Sequence, residues 1–387
     1  MAKQTDQELP DQELPDQELA DQELPDQESA EVDLAPLVLG SCSVDPGERC
    51  DTELTLSESY SGLPIVMPIS VWRSRVEGPT VFITAAVHGD ELNGTGIVRE
   101  LLREPPFRLT SGSLILVPVV NVFGLERHQR YLPDRRDLNR SFPGDTTGSL
   151  ARRFARGVFD AFVSQCDFGI DLHTAAVRRT NFPNVRADLS HPDVKRIAMA
   201  FGSEIVINGK GPKGSLRRAA TDSGCPTIIL EAGEVWKIEP SVVEFGIRGI
   251  RNVLIELGMV AGEKVAPPYQ LSVRRTKWVR AEVGGMISFH VSLGDVVKKG
   301  EPLASQSNLL GREVSRLDAP ASGMIIGITT MPVVKPGDPV CHIAIPRGSI
   351  DKIRSARQAA PDESIHERLR DDLATSVTVV EPSDLQG

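Results

Sequence analysis

The sequence of 387 residues lacks the features that define several large classes of protein. It contains no run of about 18 uninterrupted apolar residues, the minimum length of a membrane-spanning helix. Its five cysteines are scattered and include no C-x-x-C pair, so neither a disulfide scaffold nor a cysteine zinc knuckle is expected. The first residues show no basic segment followed by an apolar one, as a signal peptide would. We therefore expect a protein of the reducing cytoplasm.

The composition that is present, 40% hydrophobic and 25% charged residues, is that of an ordinary soluble globular protein. The net charge of -10 arises in the first 33 residues, which hold twelve acids and one base, Lys3. The rest of the chain has a net charge of +1, which favours neither a nucleic-acid nor a membrane partner. Five pentapeptides of the type DQELP follow one another between Asp6 and Ala30 and offer no continuous apolar face. We expect residues 1–35 to form a disordered acidic tail, and a docking role for it stays open.

Residues 36–266 alternate between segments typical of strands and segments typical of helices. Apolar runs of strand length lie at 80–87, 113–120, 167–172, 204–207 and 227–231. Helical spacing of apolar residues marks 94–104, 149–165 and 239–257. Uniformly apolar strands that alternate with helices indicate an α/β domain whose parallel or mixed sheet is covered on both faces. In such sheets the functional residues lie on loops just beyond the strand ends.

A second region begins after Pro267 and Pro268, where short strands and glycines replace long helices. Residues 285–303 and 323–340 resemble each other: both begin G-M-I and end V-V-K-x-G-[E/D]-P-[L/V]. We expect 267–346 to form a smaller all-β barrel-sandwich domain, similar to a lipoyl or biotinyl carrier. The turn between the two copies contains no lysine, which argues against a carrier function. The polar residues 347–387 are expected to form a mobile charged tail.

Two strand ends carry residues suited to a metal ion. His88 and Glu91, in the sequence HGDE, follow the first apolar strand, and His173 follows another in the sequence DLHT. Two histidines and one carboxylate are a common set of three protein ligands in catalytic zinc sites, so we predict one Zn²⁺ per chain. For HGDE alone, a loop histidine beside solvated acids is the alternative. Asp171 either orients a ligand histidine or accepts backbone N–H groups at its strand end.

Glu231 ends a further apolar strand, in the sequence ILEAG. A carboxylate beside a catalytic zinc ion can take a proton from water and deliver it to a leaving amine, so Glu231 is the candidate general base. Glu234 is its rival, although it lies beyond the turn. Residues 121–144 contain five arginines after a central strand, and this clustering favours an anion site. The other histidines, His342 among them, are interpreted as surface or packing residues, with only His128 near enough to the site to stay in question.

The ordered motifs HGDE, NVFGLERHQRYLPDRRDLNRSFPG, DLHT and ILEAG resemble the succinylglutamate desuccinylase and aspartoacylase family of zinc deacylases, a branch of the zinc carboxypeptidase fold. The resemblance covers residues 63–257 and extends to the C-terminal β-domain that several members carry. It implies a zinc-carboxypeptidase-like mixed sheet flanked by helices. It also implies that His88, Glu91 and His173 bind the zinc ion and that Glu231 is the general base.

The resemblance assigns the remaining site residues by their positions in the same motifs. Arg130 would polarise the scissile carbonyl, and Asn139 and Arg140 would hold the α-carboxylate of the substrate. Family members with a defined substrate use a further arginine and tyrosines to recognise an acidic acyl-amino acid. Arg217 or Arg218 could replace that arginine, or could be a surface charge of a helix. Specificity for aspartate or succinylglutamate therefore does not carry over, and the pattern is more similar to the broad deacylase branch of the family.

The sequence thus predicts a zinc-dependent hydrolase that removes an acyl group from an N-acyl amino acid or a related small amide. The alternatives are a carboxypeptidase or esterase with the same zinc site, and a non-catalytic binding protein with a vestigial site. The expected partner is a small-molecule N-acyl substrate. A homo-oligomer is compatible with the sequence.

Overall fold

The computed structural model describes residues 34–40, 42–59, 61–348, 350–358 and 368. Most of the predicted tails 1–35 and 347–387 lies outside these residues. The strands are β1 (Leu37–Leu39), β2 (Cys42–Val44), β3 (Arg49–Glu58), β4 (Pro64–Arg73), β5 (Thr80–Ala85), β6 (Ser113–Val117), β7 (Phe168–His173), β8 (Arg179–Ala187), β9 (Ile205–Asn208), β10 (Thr227–Glu234), β11 (Leu271–Val273), β12 (Arg275–Arg280), β13 (Gly285–Phe289), β14 (Val296–Val297), β15 (Pro302–Ser307), β16 (Glu313–Asp318), β17 (Gly323–Thr329), β18 (Val333–Val334) and β19 (Pro339–Ile345). The helices are α1 (Asn93–Arg103), α2 (Val122–Glu126), α3 (Leu150–Ala161), α4 (Pro192–Ala200), α5 (Leu216–Asp222), α6 (Pro240–Glu256) and α7 (Ile350–Gln358), and short 3-10 turns span Leu138–Arg140 and Val163–Gln165.

One mixed sheet organises the molecule, in the strand order β12-β19-β17-β8-β10-β7-β5-β6-β4-β3, with β9, β11 and β14 paired beside this path. Its centre is parallel, because β10, β7, β5 and β6 run in one direction. β8 and β4 run antiparallel to that centre on either side. The apolar runs predicted these central strands, whereas the sequence of β8, RTNFPNVRA, gave no such signal. The predicted α/β class, with a mixed sheet flanked by helices, is confirmed.

The central strands are apolar throughout because both faces of the sheet are covered. In β5, Val81 and Ile83 pack into the core that contains α1, α4 and α6, while Phe82 packs into the core that contains α3 and α5. Alternate residues of a strand point to opposite faces, so a strand between two layers of helices has no polar side. The helix predicted over 149–165 is shorter than expected, since α3 ends at Ala161 and a 3-10 turn follows.

The C-terminal strands reproduce the internal repeat of the sequence. The first copy forms β13, β14 and β15, and the second forms β17, β18 and β19. Each copy gives its short strand to the other, because β14 pairs with β17 and β18 pairs with β13. β13 and β15 of the first copy lie in a separate antiparallel sheet, β16-β15-β13-β18, while β17 and β19 of the second copy continue the main sheet. The division of the chain at residue 267 stays a prediction, since strands from both sides of it share one sheet.

β17 joins the main sheet by pairing with β8, and Gly327 allows the close approach. A Cβ atom at this position would lie 3.1 Å from Oδ1 of Asn181 and 3.3 Å from Cβ of His342. The absence of a side chain therefore lets strands from the two halves of the chain meet beside β10.

Three further features complete the fold. Cys42 and Cys50 form a disulfide between β2 and β3, a bond that the scattered cysteines had not led us to expect. α7 lies inside the segment expected to be mobile, and its Arg354 donates to Oε2 of Glu301 at 2.9 Å. No helix in the described part of the chain is both long and apolar enough to cross a membrane.

Candidate active site

The candidate site lies at the carboxyl ends of three adjacent parallel strands. β5 ends three residues before His88, β7 ends with His173, and β10 contains Glu231. Glu231 lies opposite His173 in the parallel pairing of β10 with β7. Because the carboxyl ends of parallel strands meet at one edge of the sheet, residues far apart in the sequence come together there.

The HGDE loop that follows β5 packs against the loop that follows β6. Ala86 has a left-handed backbone conformation, with φ of 50°, and its carbonyl accepts the N–H of Asn121 at 2.9 Å. A Cβ atom on Gly89 would lie 2.0 Å from the carbonyl carbon of Gly124, so any residue but glycine would force the two backbones apart. The glycine of the motif thus sets the position of the residues on either side of it.

The three predicted metal ligands form one buried cluster. His88, Glu91 and His173 each offer a donor atom, and these atoms lie within 4.8 Å of one another. Nδ1 of His88 lies 2.7 Å from Oε1 of Glu91, and Nδ1 of His173 lies 2.7 Å from Oε2 of the same carboxylate. Two imidazole nitrogens and a carboxylate oxygen that converge in this way fit a divalent cation of the zinc type.

Two further carboxylates contact Nε2 of the two histidines, the ring nitrogen that does not face Glu91. Oδ2 of Asp171 lies 2.8 Å from Nε2 of His173, and Oδ1 of Asp137 lies 3.2 Å from Nε2 of His88. Carboxylates in this position fix the tautomer and the orientation of metal-binding histidines. The contact of Asp171 favours the orienting role among the two that the sequence left open. The sequence did not single out Asp137, although this acid lies within the arginine-rich segment 121–144.

Charges within the cluster shift the pKa values of its members. Burial alone would raise the pKa of Glu91, but His88 and His173 outweigh it and hold that pKa far below its ordinary range. Burial likewise opposes protonation of the two histidines, yet the neighbouring carboxylates raise the pKa of each, most strongly for His173. The pKa of Asp137 is lowered against the effect of burial by its contacts with His88 and Arg130. The cluster therefore attracts positive charge.

Arg130 bridges two acids of the cluster. Its Nη1 donates to Oε1 of Glu91 at 3.1 Å, and its Nη2 donates to Oδ2 of Asp137 at 3.0 Å. Its side chain is partly exposed to the adjoining cavity, which has a volume of about 450 Å³. The structure therefore places this predicted residue directly beside the candidate metal centre.

Glu231 is held at both oxygens of its carboxylate. Oε2 accepts the amide N–H of Asn181 at 3.1 Å, and Oε1 lies 3.2 Å from Nη1 of Arg186. Glu231 lines the cavity together with the metal cluster. Its rival, Glu234, lies outside that lining and pairs with Lys237 at 2.8 Å.

The three residues predicted to bind substrate also line the cavity. Oδ1 of Asn139 accepts the N–H of Leu216 at 2.8 Å and so fastens the start of α5, while its Nδ2 lies 3.5 Å from Nε2 of His173. Arg140 is exposed, and its Nη1 donates to the carbonyl of Asn139 at 2.6 Å. Arg217 extends from α5 and is buried.

Among the cavity residues that the sequence analysis missed, four have charged or aromatic side chains. Arg179 and Arg186 lie on β8, Trp278 on β12 and His342 on β19. His342, interpreted as a surface or packing residue, is mostly buried, and it also forms part of the cavity wall. None of these residues stands in a motif, and the strand pairing that brings them to the site joins distant parts of the chain. His128, which stayed in question, is exposed and outside the lining.

Comparison with known proteins finds a matching family model and a protein of similar sequence. Residues 77–257 match the model of the succinylglutamate desuccinylase/aspartoacylase catalytic domain. The chain is 28% identical over 307 residues to the N-alpha-acetyl-L-2,4-diaminobutyric acid deacetylase of Halomonas elongata. That alignment covers 76% of this chain and 90% of the relative.

Solved structures share the fold. The product-bound ectoine utilization protein EutE (DoeB) from Ruegeria pomeroyi has a TM-score of 0.70 at 24% identity, over 81% of this chain and 99% of that one. A succinylglutamate desuccinylase/aspartoacylase from Rhodobacter sphaeroides has a TM-score of 0.67 at 25% identity, over 79% of this chain and 99% of that one. The likeness extends over both the central sheet and the C-terminal strands.

Proposed function

We propose that this chain, which belongs to the succinylglutamate desuccinylase/aspartoacylase family, hydrolyses an N-acyl amino acid or a related small amide. One observation carries the proposal: a buried His-Glu-His cluster and a separate carboxylate, Glu231, lie at neighbouring strand ends and line one cavity. A volume of about 450 Å³ suits a small molecule. The relative from Halomonas elongata, which is named as a deacetylase, supports the reaction class.

The proposed cofactor is one Zn²⁺ per chain, held by His88, Glu91 and His173. When bound, zinc supplies a Lewis acid that polarises the acyl carbonyl and activates the attacking water. The orienting contacts of Asp137 and Asp171 support this assignment, because they hold both rings with Nδ1 turned towards Glu91.

Glu231 is the proposed proton carrier. It takes a proton from the water molecule that attacks the acyl carbon, and the same proton passes to the amine nitrogen as the C–N bond breaks. The products are the free acid of the acyl group and the free amine. Arg186 and Asn181, each in contact with one oxygen, fix the direction of the carboxylate before substrate binds.

Arginine side chains have the proposed roles of stabilising the carbonyl oxygen and binding the substrate. Arg130, already fixed by Glu91 and Asp137, donates to the oxygen as negative charge develops on it. Arg140, exposed at the cavity and beside Asn139, holds the α-carboxylate, for which a planar guanidinium is suited. Arg217 contributes a further donor from α5.

We place the protein in the cytoplasm, and since reducing compartments rarely maintain disulfides, we expect the Cys42–Cys50 bond of the structure to be reduced to two thiols there. Alkylation of thiols in intact cells, followed by mass spectrometry, tests this. A bonded Cys42–Cys50 pair in those cells would contradict the proposed location.

Metal analysis combined with a hydrolysis assay tests the function. We expect the full-length protein to hold about one zinc ion per chain and to release free amine from N-acetyl amino acids, with loss on chelation and recovery on adding zinc. The variant His88→Ala should lose the metal, while the matched control His128→Ala should keep it. Full zinc retention by His88→Ala, or inertness of the zinc-loaded protein towards every N-acyl amino acid, would contradict the proposal. Cleavage of peptides at their C-terminus instead would favour the carboxypeptidase alternative.

A further inference from the structure

The loops that carry the proposed functional residues meet at Trp236, which belongs to none of the predicted motifs. This residue stands two positions after the end of β10, the strand that contains Glu231. It lies outside the lining of the cavity. Trp236 is 53% exposed, so packing in the core does not account for the position of its ring. Hydrogen bonds, rather than burial, hold this residue in place.

The backbone of Trp236 binds the loop that carries two of the proposed metal ligands. Its N–H donates to the carbonyl of Asp90 at 2.8 Å. Asp90 stands between His88 and Glu91 in the HGDE sequence. This bond holds the end of the strand that contains Glu231 against the metal-binding loop, and it does not depend on which side chain residue 236 carries.

The side chain of Trp236 binds a second loop, the one that carries Arg130. Nε1 of the indole donates to the carbonyl of His128 at 3.1 Å, and His128 precedes Arg130 by two residues. The carbonyl of Arg130 itself accepts a hydrogen bond from Nδ2 of Asn121 at 3.3 Å. The backbone from which the Arg130 side chain extends is therefore held from two sides, and Trp236 supplies one of them.

Both residues joined by the indole hydrogen bond have a left-handed backbone conformation. The angle φ is 59° at Trp236 and 52° at His128. Residues with bulky side chains rarely adopt such values, because the Cβ atom crowds the backbone, and they keep them only where surrounding contacts determine the conformation. Strain at both ends of one hydrogen bond indicates that this contact is maintained against the local backbone preference.

The turn that contains Trp236 also has anchors of its own. Oε2 of Glu239 accepts the N–H of Glu234 at 2.9 Å and Nδ2–H of Asn93 at 2.6 Å. The N–H of Glu239 donates to Oδ1 of Asn93 at 2.7 Å. These bonds fasten both ends of the turn to the start of α1 without using the indole. Loss of the indole N–H should therefore release the Arg130 loop while the turn stays folded.

We propose that Trp236 is a positioning residue, which holds the backbone of the Arg130 loop in place relative to Glu231 and the metal-binding loop. The proposal rests on the proposed deacylase function, in which Arg130 stabilises the carbonyl oxygen. Contacts with Glu91 and Asp137 orient the guanidinium, whereas the indole hydrogen bond fixes the backbone that carries it. A cation bound by Glu91 would repel the guanidinium, so this backbone support matters most in the metal-loaded protein.

The variant Trp236→Phe tests the role, because it removes the indole N–H and keeps an aromatic ring. We expect kcat to fall about tenfold, with KM and zinc content little changed, as for a small displacement of a group that acts in the transition state. The matched control Trp72→Phe removes an indole hydrogen bond to Oγ of Ser70 on β4, 3.0 Å long, and should keep the wild-type kcat. Wild-type kcat in Trp236→Phe would overturn the proposal.

A double-mutant cycle distinguishes positioning of Arg130 from a general effect on the site. In the Arg130→Gln background, the side chain through which Trp236 acts is already lost. Adding Trp236→Phe to that background should therefore lower kcat by less than about twofold. A further fall of about tenfold would mean that the two residues act independently, which contradicts positioning.

Hydrogen exchange followed by mass spectrometry tests the positioning without catalysis. In full-length Trp236→Phe, we expect the backbone amides of residues 124–131 to exchange at least about threefold faster than in the wild type, while residues 88–93 stay unchanged. If the zinc-loaded wild type hydrolyses no N-acyl amino acid, the proposed function fails, and this measurement still decides the role of Trp236. Unchanged exchange over 124–131, or equal acceleration throughout the chain, would overturn it.

Discussion

Glu231 and His173 lie opposite each other in neighbouring parallel strands, so the proposed proton acceptor and a proposed metal ligand occupy paired positions of the sheet. Side chains at paired positions of a parallel sheet point to the same side, which directs both groups to the same cavity. The spacing between them is set by the strand pairing and does not depend on a flexible loop.

Replacing Glu231 with glutamine should remove proton transfer while keeping the shape of the residue. We expect kcat to fall by about a hundred- to ten-thousand-fold, with zinc content and KM little changed. Glu234→Gln is the matched control, since it alters a carboxylate on the same strand outside the cavity. Steady-state kinetics and metal analysis of both variants check this, and near wild-type kcat for Glu231→Gln would mean that another group is the base.

Asp137→Asn should weaken metal binding without removing a ligand. The amide cannot hold the outer nitrogen of His88 and the guanidinium of Arg130 as the carboxylate does. We expect zinc affinity to fall by about 10- to 100-fold, the usual effect of losing an orienting partner. Competition with a chelating dye measures this, and Asp160→Asn, an exposed acid on α3, is the control. Unchanged affinity in Asp137→Asn would assign it a purely structural role.

Gly89→Ala should destabilise the fold and displace the metal ligands beside it. The added methyl group would meet the backbone of Gly124, which cannot move as a side-chain tip could. We expect a loss of about 1–3 kcal/mol in the free energy of unfolding, together with weaker zinc binding. Urea denaturation compares it with Gly348→Ala, where a Cβ atom meets nothing within 4 Å. Equal stability of the two variants would refute the close approach.

His342 should make the protein less stable in mild acid. Its pKa is about 4 in the fold against an ordinary value of 6.5, so between these values the unfolded chain binds more protons than the folded one. Stability therefore falls as the pH drops through this window, by about 2 kcal/mol for this group at pH 5. Urea denaturation at pH 7 and pH 5 should show that His342→Gln loses less stability than the wild type. The same pH dependence in both proteins would contradict this.

How much of the site could be predicted depended on where its residues stand in the sequence relative to the apolar strands. His88, Glu91, His173 and Glu231 stand directly at or after apolar strands, so their types and positions predicted a common site at one sheet edge. Asp137 stood in a recognised loop, but nothing local indicates which acid of a loop turns inwards.

The cavity residues on β8, β12 and β19 could not be predicted from the sequence for a different reason. Arg179 lies on β8, whose partly polar sequence does not predict a strand. His342 reaches the cavity because β17 pairs with β8 and β19 pairs with β17. Such contacts between distant segments leave no periodicity in the sequence. The repeat predicted two similar halves correctly, but not that one half would extend the main sheet.

That continuous sheet affects how this protein can be recombined with its relatives. A chimaera joined at residue 267 would exchange His342 and Trp278, and so would replace the ring that Arg179 contacts. Every proposed metal ligand and Glu231 would stay those of the recipient protein. Exchange of the C-terminal strands should therefore transfer substrate preference separately from chemical competence, provided that the incoming strand equivalent to β17 keeps a small residue opposite Asn181.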